Sequence, residues 1–261
     1  MTPAIGVFDS GLGGLTVLRA LIDLLPDVPT IYFGDTARFP YGTRTPDEVV
    51  DFSREIASIL VERGAELVVI ACNSAASVAL PTLREELDVP VVGVVAPGMR
   101  AAAAVTESGR VGVIGTVGTI ASGAYQHAGA EIAPDIELVC AACPGFVEFV
   151  EAGDIESDQV RVLAERLLAP VRDANVDALV LGCTHYPVLA RTIGEVMGRD
   201  VVLVSSADET AFEIRALLPG AHRRDALASR SFVTSGDPGT FQRLGARFLG
   251  PEVCVVDKWQ W

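Results

Sequence analysis

The chain has 261 residues, half of them apolar and 21% charged, ordinary globular composition that suits one large domain or two smaller ones. Its formal net charge of −14 repels phosphate, which argues against nucleic acid or an anionic membrane as the main partner. The apolar runs are short and interrupted, and Met1–Gly6 has neither the basic nor the apolar region of a signal peptide, so a cytoplasmic protein without a membrane anchor is expected.

The first expected strand, residues 4–8, runs into Asp9-Ser10-Gly11-Leu12-Gly13-Gly14 and then a helix. Glycines here permit close approach of backbone to a ligand, and a helix N-terminus can receive a carboxylate. The dinucleotide fingerprint GxGxxG is not met. A turn needed only by chain geometry is the plain alternative, but Asp9 and Ser10 at the carboxyl end of the strand favour a ligand role. A strand over 30–33 leads through Gly34-Asp35-Thr36 to Pro40-Tyr41-Gly42, where Tyr41 reads equally well as a site residue or as packing.

A helix over 46–63 precedes a strand over 67–70 that ends in Ala71-Cys72-Asn73-Ser74. Further on come a helix over 75–87, a strand over 89–92, a helix over 97–106 and a strand over 110–114. Pro46 and Pro97 suit the first turn of their helices. The strand over 137–139 meets Cys140-Ala-Ala-Cys143, a CxxC that invites zinc or redox readings. The histidines His127, His185 and His222 are too scattered to complete a zinc site, and apolar burial explains the pair more simply. Glu148 and Glu151 follow at the spacing of a solvated helix face.

A helix over 158–174 and a strand over 178–181 lead to Gly182-Cys183-Thr184-His185. A strand over 201–204, a helix over 207–217 and strands over 231–234 and 253–256 complete the pattern. Strand–helix alternation implies parallel sheet covered by helices on both faces, an α/β fold. The fifth cysteine, Cys254, makes the count odd, which argues for a reducing compartment rather than a disulfide scaffold. The sole lysine is Lys258, a poor candidate for a pyridoxal phosphate Schiff base or a Walker A loop.

The chain echoes itself. Ile5-Gly-Val-Phe-Asp-Ser-Gly resembles Val111-Gly-Val-Ile-Gly-Thr-Val, and Leu67 to Ser74 resembles Ala178 to His185. Two pseudo-symmetric α/β halves are expected, with ligand held beyond the carboxyl ends of the strands. Cys72 and Cys183 hold matching positions, each after an apolar strand and before a polar pair. A buried core cysteine explains either one alone; two in equivalent places favour function. One thiolate can take a proton from carbon while the opposite thiol delivers one to the other face, inverting a stereocentre without cofactor. A dithiol–disulfide couple is the rival, but it has no need of two matching polar pockets.

These motifs, with Tyr32-Phe-Gly-Asp35, Ala142-Cys-Pro144 and Leu181 to Pro187, run in an order similar to that of the aspartate/glutamate racemase superfamily, and within it the glutamate racemases. The resemblance covers nearly the whole chain. It implies interconversion of L- and D-glutamate, supplying D-glutamate for peptidoglycan, with Cys72 and Cys183 as the two bases and no cofactor or metal. It implies substrate contacts from Asp9, Ser10, Tyr41, Gly42, Asn73, Ser74, Thr184 and His185. Asp9, His185 and Glu151 are expected to assist proton transfer, with Glu148 competing for the place of Glu151. It implies two α/β domains, 1–95 with 207–261 and 96–206, with the site in the cleft between them. A homodimer is the family-based expectation, and a secondary interaction with DNA gyrase is a further one. A racemase of another acidic amino acid such as aspartate, or a non-catalytic regulator on the same scaffold, are the rival readings. Ser74 stands where many members have Thr, and Ser205 where many have Asp.

Overall fold

The computed structural model describes residues 4–218, 228–253 and 255–261. His222 and Cys254 therefore lie outside the described residues. Two compact units emerge, Met1–Val94 with Ala207–Trp261, and Val95–Ser206.

The first unit holds β1 (Ala4–Asp9), α1 (Leu15–Leu24), β2 (Thr30–Gly34), α2 (Pro46–Glu62), β3 (Ala65–Ile70), α3 (Asn73–Glu86) and β4 (Val91–Gly93). The second holds α4 (Val95–Val105), β5 (Arg110–Gly115), α5 (Val117–Ala121), α6 (Ala124–Ile132), β6 (Glu137–Ala142), α7 (Phe146–Ala152), α8 (Asp158–Asp173), β7 (Ala178–Gly182), α9 (Ala190–Met197) and β8 (Val202–Val204). The chain then re-enters the first unit with α10 (Ala207–Leu217), β9 (Arg230–Thr234), α11 (Pro238–Leu249) and β10 (Val256–Lys258).

The ten expected strands all form, with shifted ends. The last begins at Val256 rather than Val253, and the strand expected over 89–92 is Val91–Gly93. Local chemistry sets several helix starts. Thr45 and Glu48 form a reciprocal capping box ahead of Pro46 in α2, Ser157 caps α8, and Asp237 caps α11 ahead of Pro238.

Every strand pair is parallel. The first sheet has the order β10-β9-β2-β1-β3-β4 and the second β6-β5-β7-β8. Strands β2 and β7 are buried at every residue, as parallel strands covered on both faces should be. In each unit the opening strand lies between the next two, and the fourth extends the side of the third: β2-β1-β3-β4 and β6-β5-β7-β8. The two sheets thus share one topology, the physical content of the internal echo.

Candidate active site

In the first unit the site is built where β1 and β3 end side by side, Phe8 pairing with Ile70. Two residues past Ile70, Cys72 occupies the N-cap position of α3 in extended conformation, so its side chain sits beside the N–H groups of the first turn. Its Sγ lies 3.7 Å from Ser10 Oγ. Burial pushes the Cys72 thiol up to about 12 and the Asp9 carboxylate adds to the rise, opposed by the Ala75 N–H and by the hydroxyl and N–H of Ser10. The resting thiol is therefore neutral, with a proton to give. Asp9, fully buried, accepts from the Gly11 N–H at 2.9 Å. Asn73 and Ser74 are buried in the first turn of α3. Gly14 permits the crowding: a Cβ there would stand 2.6 Å from Asp9 Cβ and 3.0 Å from Ala71 Cβ.

Tyr41 and Gly42 lie in a 3-10 turn, Tyr41–Thr43, following the cis Phe39-Pro40 bond. Tyr41 is buried and its hydroxyl donates to Asp35 Oδ2, so its phenol is already committed within the protein. Burial and then Asp35 raise the Tyr41 pKa far above the ordinary tyrosine value, so it does not serve as a proton donor to solvent.

In the second unit β5 and β7 end together, Gly115 pairing with Gly182, and Cys183 follows directly. Cys183, Thr184 and His185 are all buried. The segment after Cys183 differs from that after Cys72. The chain first forms a 3-10 turn, Tyr186–Leu189, with Pro187 in its opening, before α9 takes over. His185 Nε2 and Glu151 Oε1 are 2.7 Å apart, a ring N–H donating to the carboxylate. Glu148 and Glu151, one turn apart on α7, are both exposed, and it is Glu151 that meets His185. Tyr186 donates to the Cys143 carbonyl at 3.1 Å and packs edge-on against Phe146, which fixes the turn that carries His185.

The CxxC pair runs along an extended stretch of chain. Cys140 lies inside β6, and Cys143 continues its ladder with an N–H to the Gly115 carbonyl at 2.8 Å. Three residues of extended chain separate their Cα atoms by about 10 Å, whereas a disulfide needs about 6 Å. Cys72, Cys140, Cys143 and Cys183 are free thiols. Among the described residues no group of His, Cys, Asp and Glu is arranged to hold a metal ion, and no helix is long and apolar enough to cross a membrane.

Four further residues, Tyr32, Asp35, Tyr125 and Ser235, shape the surroundings of the site. Tyr32 is fully buried and donates to the Gly11 carbonyl at 3.0 Å, tying β2 to the glycine turn. Asp35 accepts from Tyr41, Arg38 and Ser235. Tyr125 lies beside Gly182, where a Cβ would stand 3.1 Å from its ring. Tyr32 and Asp35 sit in a recognisable motif; Tyr125 and Ser235 carry no local signal.

A family profile described as Asp/Glu/Hydantoin racemase matches residues 5–213. The glutamate racemase of Geobacter metallireducens is 52% identical over 250 residues, 95% of this chain and 93% of the relative. Among solved structures, a glutamate racemase isoform from Bacillus anthracis superposes with a TM-score of 0.92 at 38% identity, covering 99% of this chain and 97% of that one. The glutamate racemase of Francisella tularensis, solved in complex with D-glutamate, does so with a TM-score of 0.91 at 32% identity, covering 99% and 98%.

Proposed function

Since the chain belongs to the Asp/Glu/Hydantoin racemase family and racemises glutamate, we propose that Cys72 and Cys183 supply the two acid–base groups of that reaction. The observation that carries this reading is their equivalence. Each thiol sits just past the carboxyl end of the third strand of its sheet, beside the end of the opening strand, followed by two buried polar residues.

One cysteine acts as thiolate and takes the α-hydrogen as a proton, leaving the electron pair on the α-carbon. The other, as thiol, gives its proton to the opposite face, and the charge states of the two sulfurs are exchanged. Cys72 acts on the D-isomer and Cys183 on the L-isomer. The high pKa of Cys72 makes it a proton donor at rest; to become a base it must pass its proton on, and Asp9 is the carboxylate beside it. On the other side Glu151 orients His185, two residues beyond Cys183. Ser10, Asn73, Ser74 and Thr184, with the Tyr41-Gly42 turn, hold the substrate's carboxylates and amino group. Neither cofactor nor metal takes part, and the D-glutamate goes to peptidoglycan. A cytoplasmic setting suits the reaction, since reducing conditions keep both sulfurs free.

The test is exchange in D₂O. Cys72→Ser and Cys183→Ser should each lose racemisation by about 10²–10⁴-fold, because a serine hydroxyl is too weak an acid to supply the base. What survives should be one-sided: slow α-hydrogen exchange with retention, on L-glutamate for Cys72→Ser and on D-glutamate for Cys183→Ser. Near-normal racemisation by either folded variant removes the two-thiol reading. Chelator and hydroxylamine should leave the rate of the unmodified protein unchanged.

A further inference from the structure

We propose that Trp261 is a positioning residue for glutamate: stacked on Arg38, it holds that guanidinium against Asp35 and so fixes the Tyr41-Gly42 turn. The inference rests on the reading that this turn contacts substrate.

Asp35 is a fully buried carboxylate at the end of β2. Ser235 donates to its Oδ1 at 2.6 Å, while Arg38 Nε at 2.6 Å and the Tyr41 hydroxyl share its Oδ2. A buried carboxylate is tolerated only beside a compensating charge with good geometry. Arg38 is that charge, and the oxygen it neutralises is the one that holds Tyr41.

Hydrogen bonds hold two of the three Arg38 nitrogens, Nε on Asp35 and Nη1 on Glu55, and leave the third without one. Nη1 reaches Glu55 at 2.5 Å, but Nη2 is buried with no hydrogen-bond partner. Two aromatic rings cover the faces of the guanidinium. Its carbon lies 4.1 Å from the centroid of the Phe52 ring and 3.4 Å from that of Trp261. The negative faces of both rings stabilise the cation. Phe52 also packs on Tyr41 at 5.5 Å between centroids. Trp261 is thus the one side of the sandwich supplied from far along the chain.

Burial explains the placement of Trp261 poorly, since 49% of its surface remains exposed. Its setting is nevertheless built. Strand β10 pairs with β9, the Trp259 N–H donates to the Thr234 carbonyl at 2.8 Å, and Trp261 contacts Phe33 and Trp259 with centroids 5.8 Å and 6.4 Å away. Losing the indole opens one face of Arg38 to water. The cation can then swing from Asp35, whose uncompensated charge disturbs the Tyr41 hydroxyl bond and the turn behind it. Tyr41 lies near enough to Cys72 to feel its charge, but none of these residues hydrogen-bonds to a thiol, so the main effect falls on substrate binding.

The experiment compares steady-state racemisation by Trp261→Phe, Trp261→Leu and Trp261→Ala. Leu and Ala should raise KM for glutamate about threefold to tenfold with kcat within about twofold, while Phe, which keeps a ring face, should stay near the parent value. Arg38→Met should raise KM similarly, and adding Trp261→Ala to it should raise KM no further, because one contact has been removed twice. Equal KM for Phe and Leu variants, or full additivity of the Arg38 and Trp261 effects, overturns the proposal. Gly42→Val serves as the control on the turn itself. If it leaves KM unchanged, the fault lies in the assignment of the turn to substrate; if it raises KM while Trp261→Leu does not, the fault lies with Trp261.

Discussion

Gly6 and Gly112 occupy the same place in two different sheets. Gly6 in β1 pairs with Val68 of β3, and Gly112 in β5 pairs with Leu179 of β7. Each leaves room for the helix that precedes its partner strand. A Cβ at Gly6 would lie 2.9 Å from Ala65 Cβ and 3.0 Å from Leu60 Cβ; at Gly112 it would lie 2.8 Å from Leu179 Cδ1, 3.2 Å from Val176 Cγ2 and 3.4 Å from Val171 Cβ. Leu60 and Val171, Ala65 and Val176, Val68 and Leu179, and Cys72 and Cys183 are all 111 residues apart, as 183 − 72 gives for the last. The equivalence of the two thiols is therefore anchored in packing that has nothing to do with catalysis.

The two glycines should tolerate alanine unequally. At Gly6 the clashing atoms are Cβ atoms fixed to backbone, and the sheet or α2 must shift. At Gly112 the nearest atom is the far end of a leucine side chain that can turn away. Gly6→Ala should cost about 1–3 kcal/mol and Gly112→Ala less, read from urea midpoints. An equal or reversed order contradicts the packing described.

Glu151 should matter and Glu148 should not. Glu151→Gln keeps the size and a hydrogen-bond acceptor for His185 Nε2 but removes the charge that favours the donating ring N–H. We expect a fall in kcat of about 10-fold or more, with KM changed less, and a shift in the pH profile of kcat. Glu148→Gln, which removes no bond to His185, should leave both parameters within about twofold. Parallel rate measurements on the two variants decide it.

Alkaline stability offers a third check. Burial pushes the Cys143 thiol up to about 12, with neighbouring Cys183 second, and burial pushes Cys140 up to about 11. The unfolded chain releases these protons near the ordinary thiol value of about 9 while the folded chain retains them. Their contribution is thus fully present below pH about 9 and is lost as pH rises toward 11–12, each thiol adding a slope of up to about 1.4 kcal/mol per pH unit. Cys143→Ala should flatten the decline in unfolding free energy between pH 9 and 11, measured by denaturant titration at several pH values. It should also keep most racemase activity. An unchanged slope contradicts the burial argument; lost activity in the folded variant gives Cys143 a role in the reaction.

The ordering of elements was legible because parallel α/β structure writes itself locally. Buried strands such as residues 67–70 and 178–181 read as short apolar runs, and helices such as α2 announce themselves with Thr45-Pro46 and Glu48. Their ends were less legible. Residue pattern places the start of the last strand at Val253, but the strand starts at Val256, where pairing with Phe232 of β9 begins. That limit is set by a neighbour rather than by residue type. The 3-10 turn after Cys183, in place of a direct α-helix, likewise follows from Tyr186 reaching back to the Cys143 carbonyl.

The sequence by itself determined the α/β class, the internal repeat and the pairs of polar residues flanking two thiols, because each is written in short local segments, in the case of the repeat in two copies 111 residues apart at the cysteines. The tertiary structure alone decided which carboxylate meets His185, since Glu148 and Glu151 share one short helix and only its rotation against the Tyr186 turn distinguishes them. It alone decided how far apart Cys140 and Cys143 stand, because that depends on the chain being extended between them. It alone brought Trp261 onto Arg38, 223 residues away in the chain, since only the order β10-β9-β2 places the two segments together. Contacts that depend on sheet order leave no trace in local pattern, because periodicity reports which face of an element is covered and not what covers it.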